Sequence, residues 1–206
     1  MKIHEHNEPF KHLVIEEFLT EEETHLVYYR CRNAVDENKF NDKSMFFEHG
    51  EYQNNSGVDI EFTPDLNNKI TEQLNQVAEH FNLLDDKFEW NFNCNLTYDN
   101  PSKPLRPHND DWNELSKYGA GRLKLLVYLG LNDQEYKDWG TKLYTKGETY
   151  DSFAKEVEFV PGNAMCFEAT DKSFHGTDFT HGIEGYRFIL GAEYINSSLI
   201  TTEPGE

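Results

Sequence analysis

Apolar positions recur with two different periods along this chain, and the switches between them mark out its elements. Trp90, Phe92, Cys94, Leu96 and Tyr98 alternate with Asn91, Asn93, Asn95 and Thr97. That period of two gives a strand one apolar and one polar face. Just upstream the period is helical: Leu66, Ile70, Leu74, Val77, Ala78 and Phe81 share one stripe. Thr63-Pro64 in front of them predicts a helix with proline at its first position. An earlier helix is expected to start at Thr20, where Glu23 three residues on completes a capping box, and to run to about residue 36. Its broad apolar face would carry Leu26, Val27, Tyr29, Cys31, Ala34 and Val35. Residues 12–19 read as a strand before it, and the polar lead with His4 and His6 is expected to be mobile.

Downstream the apolar runs are short. Residues 122–129 read as a mostly buried strand, 140–144 as a shorter one and 185–195 as the last. Residues 157–160 and 164–167, joined by Pro161-Gly162, read as a hairpin. Residues 38–61 are polar, with the turn signal Asn54-Asn55-Ser56-Gly57, and suit a flap over a site. Two helices followed by many short strands predict a mainly β fold with flanking helices, a β-sandwich or jelly roll with an N-terminal helical buttress. No repeat, linker or low-complexity segment divides residues 1–206, so a single domain is expected.

Charge narrows the partners. With 19 Lys and Arg against 38 Asp and Glu, the net charge of -19 disfavours nucleic acid, whose binding rests on clustered cations. Three scattered cysteines, Cys31, Cys94 and Cys166, suggest neither a disulfide framework nor a thiolate metal site, and fit a reducing compartment. No run approaches the roughly 20 apolar residues of a membrane span, and a cytoplasmic location is expected.

Candidate chemistry centres on Pro107-His108-Asn109-Asp110. Residues two apart in an extended chain point to one side, so His108 and Asp110 can converge on a metal. Ser173-Phe174-His175-Gly176 supplies a second histidine, with His181 as a rival for the same role. Two histidines, one carboxylate and open positions suit a non-haem Fe(II) centre. Arg187 lies among Tyr186, Phe188, Ile189 and Leu190, where a guanidinium is costly to bury without an anion; Glu193 is its structural alternative partner. Lys124 reads as a snorkelling or solvent-facing lysine, with a second pocket cation as the alternative, and Tyr128 as core.

The order of these parts resembles the 2-oxoglutarate and Fe(II)-dependent dioxygenases, above all their prolyl 4-hydroxylase-like branch. The likeness runs from Phe10 to about Ile195. It rests on Tyr98 leading to His108-Asn109-Asp110, on Val127-Tyr128-Leu129, on Trp139-Gly140-Thr141 (where the family has Gly-Gly), on Pro161-Gly162, on Ser173-Phe174-His175-Gly176 and on Arg187. It implies a double-stranded β-helix in which His108, Asp110 and His175 hold iron. Arg187 would clamp the distal carboxylate of 2-oxoglutarate, and Tyr98 would add a hydroxyl donor. The implied cofactor set is Fe(II), 2-oxoglutarate and O2, with ascorbate as an optional addition.

The activity so implied is hydroxylation of a protein, peptide or small-molecule substrate, with a prolyl residue favoured by the branch. A nucleic-acid demethylase of the same superfamily is the second enzyme reading. It is disfavoured by the charge and by Glu193, which stands where that branch resembles a second arginine. A non-catalytic jelly-roll binding module is the alternative of another class. Oligomeric state and prime substrate have no sequence signal.

Overall fold

The computed structural model describes residues 1–36, 40–41, 55–58, 63–83, 88–98, 107–110, 123–147, 150–177 and 186–196. Two helices, α1 (Glu21–Asp36) and α2 (Pro64–His80), accompany two antiparallel sheets. The strands are β1 (Lys2–His6), β2 (His12–Glu16), β3 (Phe40–Asn41), β4 (Asn55–Val58), β5 (Phe88–Tyr98), β6 (Leu123–Leu129), β7 (Thr141–Tyr144), β8 (Phe153–Val157), β9 (Ala164–Glu168), β10 (His175–Gly176) and β11 (Tyr186–Asn196). The large sheet has the order β1-β2-β9-β6-β11-β5-β4-β3 and the small one β10-β7-β8.

Period two explains how the large sheet is used. On β6, Leu123, Leu125, Val127 and Leu129 join one apolar cluster, and on β11 so do Phe188, Leu190, Ala192 and Tyr194. The same cluster takes Val27 and Cys31 from α1 and Leu66, Ile70, Leu74, Val77 and Ala78 from α2, so the helices cover this outer face. Burial of each large side chain contributes about 1.5–3 kcal/mol. The intervening residues turn inward: Tyr128, Met165, Phe167 and Ile189 form a second cluster with Leu143 and Val157 of the small sheet. Two sheets face each other across this inner layer, the arrangement of a jelly roll.

Local signals hold where they rest on hydrogen-bond chemistry. The Thr20 amide donates to Glu23 Oε2 at 2.8 Å, and the Glu23 amide to Thr20 Oγ1 at 3.3 Å, completing the capping box of α1. Thr63 caps α2, its Oγ1 accepting from the Leu66 amide at 3.4 Å. Lys69 of α2 reaches both Glu23 carboxylate oxygens at 2.6 Å and ties the helices together.

Three expectations need correction. The polar lead is a strand: β1 pairs with β2 from Lys2 opposite Glu16 to His6 opposite His12. Pairing of backbone groups outweighs its polarity. On α1, Leu26 and Tyr29 are exposed, while Thr24, Val27 and Cys31 are buried, because the sheet accepts a narrower stripe than the pattern offered; at Ala34 and Val35 only backbone is described. The proposed hairpin at Pro161-Gly162 is instead a crossing between sheets. Strand β8 ends at Val157 and pairs with β7, whereas β9 pairs with β2 and β6. Gly162 explains the change of direction. Its φ of +83° is left-handed, and a Cβ there would lie 2.7 Å from Leu19 O. Its amide donates to Tyr128 O at 2.9 Å, fastening the turn to β6 rather than to a partner strand. The flap expected over residues 38–61 falls almost wholly outside the described residues; β3 and β4 lie within it and extend the large sheet. No helix among the described residues is long and apolar enough to cross a membrane.

Candidate metal centre

His108 and His175 are brought together by the backbone itself. Each amide donates to the other's carbonyl at 2.9 Å, an isolated antiparallel bridge that continues the small sheet beyond β10. Facing residues of such a pair place their side chains side by side, and the two ring centroids are 4.5 Å apart. The turn before β10 is built by Ser173, whose hydroxyl accepts from the Thr170 amide at 2.8 Å and donates to Thr170 O at 3.0 Å.

Asp110 completes a trio. Its Oδ1 lies 3.7 Å from His108 Nε2 and its Oδ2 3.4 Å from His175 Nε2. One ligand atom from each of His108, Asp110 and His175 falls within 4.8 Å of the others. His175 and Asp110 are buried, whereas His108 is partly open. The ring of His175 also packs against Phe167 of the inner cluster, with centroids 4.7 Å apart.

The donor set fits a divalent metal ion. His175 Nδ1 is 3.0 Å from Ser173 O, and a carbonyl only accepts, so Nδ1 carries the proton and Nε2 offers its lone pair toward Asp110. Burial lowers the His175 pKa to about 4 against the opposing pull of Asp110, keeping the imidazole neutral at pH 7. Two imidazoles and one carboxylate are the ligand types of a facial Fe(II) site.

Arg187 lies on the same inner face and is buried. Its Nε donates to Trp139 O at 2.7 Å and its Nη2 to Thr141 Oγ1 at 3.2 Å. Tyr128, also fully buried, donates its hydroxyl to the same Thr141 Oγ1 at 2.9 Å. The guanidinium carbon sits 5.8 Å from the Tyr128 ring centroid and 5.7 Å from that of Phe159, within cation–π range. The result is a guanidinium beside a Thr141 hydroxyl that accepts from Arg187 and Tyr128 and keeps its own proton to donate, an arrangement suited to a carboxylate.

Two residues here depart from the sequence expectation. Lys124 is not solvent-facing: it projects inward, in contact with Glu193 Oε1 and 3.7 Å from Asp110 Oδ2. Glu193 therefore partners Lys124, which stands directly opposite it in the register of β6 and β11. Tyr98 pairs by register with Tyr186, next to Arg187, but its side chain lies outside the described residues, as does His181. Thr141, Phe159 and the Trp139 carbonyl escape sequence reasoning. Strand parity could have flagged Lys124 and Glu193, an even number of residues from Tyr128 and Arg187 respectively; nothing in the sequence flags a main-chain carbonyl.

No protein-family model and no curated protein matches the sequence. Solved structures do. A prolyl hydroxylase from Trichoplax adhaerens, in complex with a hypoxia inducible factor oxygen degradation domain peptide fragment, is similar with a TM-score of 0.69 at 11% identity, over 93% of this chain and 87% of that one. A Pseudomonas putida prolyl-4-hydroxylase is similar with a TM-score of 0.59 at 15% identity, over 90% and 92%. The epimerase SnoN, in complex with Fe3+, alpha ketoglutarate and nogalamycin RO, gives 0.61 at 12% identity, over 94% and 86%. The chain has the fold shared by these prolyl hydroxylases and an alpha ketoglutarate-dependent non-haem epimerase, the jelly roll of the 2-oxoglutarate and Fe(II)-dependent oxygenases that its sequence resembles.

Proposed function

We propose that this protein is an Fe(II)- and 2-oxoglutarate-dependent oxygenase that hydroxylates a C–H bond, with a prolyl residue of a protein or peptide as the first substrate to test. The observation that carries this reading is the convergence of His108, Asp110 and His175 on the inner face that also holds Arg187. His108, Asp110 and His175 would hold Fe(II). Arg187, with the hydroxyl of Thr141, would take the distal carboxylate of 2-oxoglutarate, and Tyr98 would add a further hydroxyl. When bound, the metal with 2-oxoglutarate and O2 supplies the oxidation, coupling decarboxylation to succinate with oxygen insertion. The protein's own contribution is orientation and dryness. Ser173 O fixes the His175 tautomer, and Phe167, Met165, Ile189 and Leu143 form an apolar inner layer that strengthens the Arg187 contact by excluding water.

Peptide and small molecule are both represented among the neighbours: one structure carries a hypoxia inducible factor peptide fragment and another nogalamycin RO. A charge of -19 argues against methylated nucleic acid. The test is succinate release from 2-oxoglutarate under Fe(II) and O2, with proline-containing peptides compared against small metabolites and methylated oligonucleotides. Peptide-stimulated release supports the reading. Release stimulated by oligonucleotides alone assigns the substrate to nucleic acid, and no release from any mixture contradicts the oxygenase reading.

A further inference from the structure

A fourth side chain with ligand chemistry, Glu193, is tied to the trio through Lys124. Glu193 stands on β11 directly opposite Lys124 on β6, and both project to the inner face. The Lys124 ammonium contacts Glu193 Oε1 and also lies 3.7 Å from Asp110 Oδ2, so one cation spans two carboxylates, one of them in the trio. Neither member is a surface group: the Lys124 side chain is 20% exposed and that of Glu193 29%. A carboxylate oxygen suits the same divalent ions as Asp110 does. A divalent cation at the trio would attract the Glu193 carboxylate and repel the Lys124 ammonium, since Coulomb interaction grows with charge and with burial. A fourth protein ligand would then fill a position that a chelating cosubstrate needs.

We infer that Lys124 is a positioning residue that holds the Glu193 carboxylate off the metal and so keeps the centre at three protein ligands. This rests on the reading of His108, Asp110 and His175 as a metal site and adds to it the reason the site stays open. The two charges also offset each other. Lys124 alone would repel a metal ion, Glu193 alone would attract one, and as a pair they leave the trio's affinity near what its own ligands set.

That offset makes the test one of sign. The full-length chain is titrated anaerobically with Co(II) as the probe ion, followed by 2-oxoglutarate, in wild type, Lys124→Met, Lys124→Arg, Glu193→Gln and the Lys124→Met/Glu193→Gln double variant. Lys124→Met should bind Co(II) about ten-fold more tightly and 2-oxoglutarate about ten-fold more weakly, with a changed visible spectrum of the bound Co(II). Glu193→Gln should bind Co(II) about ten-fold more weakly, because Lys124 is left uncompensated beside the ion. The double variant should return to within about three-fold of wild type, and Lys124→Arg should stay there throughout. A purely structural role would shift both single variants in the same direction, and that result overturns the inference. So does a Lys124→Met effect that persists in the double variant. Should Lys124→Met fail to fold, the sign of the Glu193→Gln effect decides alone. Failure of wild type to bind Co(II) overturns the metal reading itself and this inference with it.

Discussion

The two faces of the large sheet are made by the same strands yet do different work. Outward, β6 and β11 present Leu123, Leu125, Val127, Leu129, Phe188, Leu190, Ala192 and Tyr194 to the helices, without a charge among them. Inward, the same strands present Lys124, Tyr128, Arg187, Ile189 and Glu193. One residue of register separates a face that stabilises the fold from a face that can do chemistry. Buried charge is costly, so it is placed where hydroxyls, carbonyls and opposite charges meet it, and is kept off the face whose only task is packing. Substitutions on the two faces should therefore separate activity from stability.

The largest expected effect lies on the inner side. His108→Ala, Asp110→Ala or His175→Ala should each reduce Fe(II)-dependent succinate release to background while leaving the thermal melt of the metal-free protein cooperative, and His181→Ala should retain activity. An active His175→Ala protein beside a dead His181→Ala one would reassign the distal ligand. On the outer face, Phe188→Ala should cost about 3–5 kcal/mol in urea unfolding, because Phe188 is fully buried and meets Tyr28 of α1 edge-on with ring centroids 5.3 Å apart. Below its melting temperature that variant should bind 2-oxoglutarate as wild type does. Loss of cosubstrate affinity in the folded variant would mean that the faces are not separable.

A smaller change is expected at Arg187. Hydrogen bonds to a charged group contribute about 1.5–3 kcal/mol each, so Arg187→Ala should weaken 2-oxoglutarate roughly 10- to 150-fold per bond lost. Arg187→Lys should fall between alanine and wild type, since it keeps the charge and loses the fork. Equal affinity in Arg187→Ala, measured by anaerobic titration, would move the anchor elsewhere.

The smallest effect concerns pH. His12 is fully buried, with Nδ1 2.8 Å from Phe10 O and its ring stacked on His6, and burial lowers its pKa to about 4. The unfolded chain takes that proton near pH 6.5, whereas the folded chain resists until about pH 4. Stability held above pH 6.5 should thus be lost as pH falls toward 4, by about 1.4 kcal/mol at about pH 5.5. His12→Leu should flatten this part of the urea stability profile; an unchanged slope would assign the dependence to other groups.

Much of this division is legible in the amino-acid sequence, because it is written in parity. The stripe of α2, the capping residues Thr20 and Thr63, and the spacing of His108 and Asp110 are local and act within a few residues. What parity cannot supply is which strands lie side by side. Lys124 and Glu193 are 69 positions apart, and only the register of β6 against β11 makes them partners. The same holds for the crossing at Gly162, where amides and carbonyls of β6 and of the loop before α1 decide the chain's path. Local polarity misleads at His4 and His6 for a related reason: a polar segment becomes a strand when β2 offers a partner.

On the function proposed above, the inner face would hold a metal ion at His108, Asp110 and His175 and a dicarboxylate at Arg187. Crystals grown anaerobically with Mn(II) and 2-oxoglutarate would locate both, the metal through its anomalous signal. The expected result is one strong peak among His108 Nε2, Asp110 and His175 Nε2, with the distal carboxylate of 2-oxoglutarate against Arg187 and Thr141. A peak away from the trio would rule out this metal site, and a dicarboxylate bound without Arg187 would rule out this anchor.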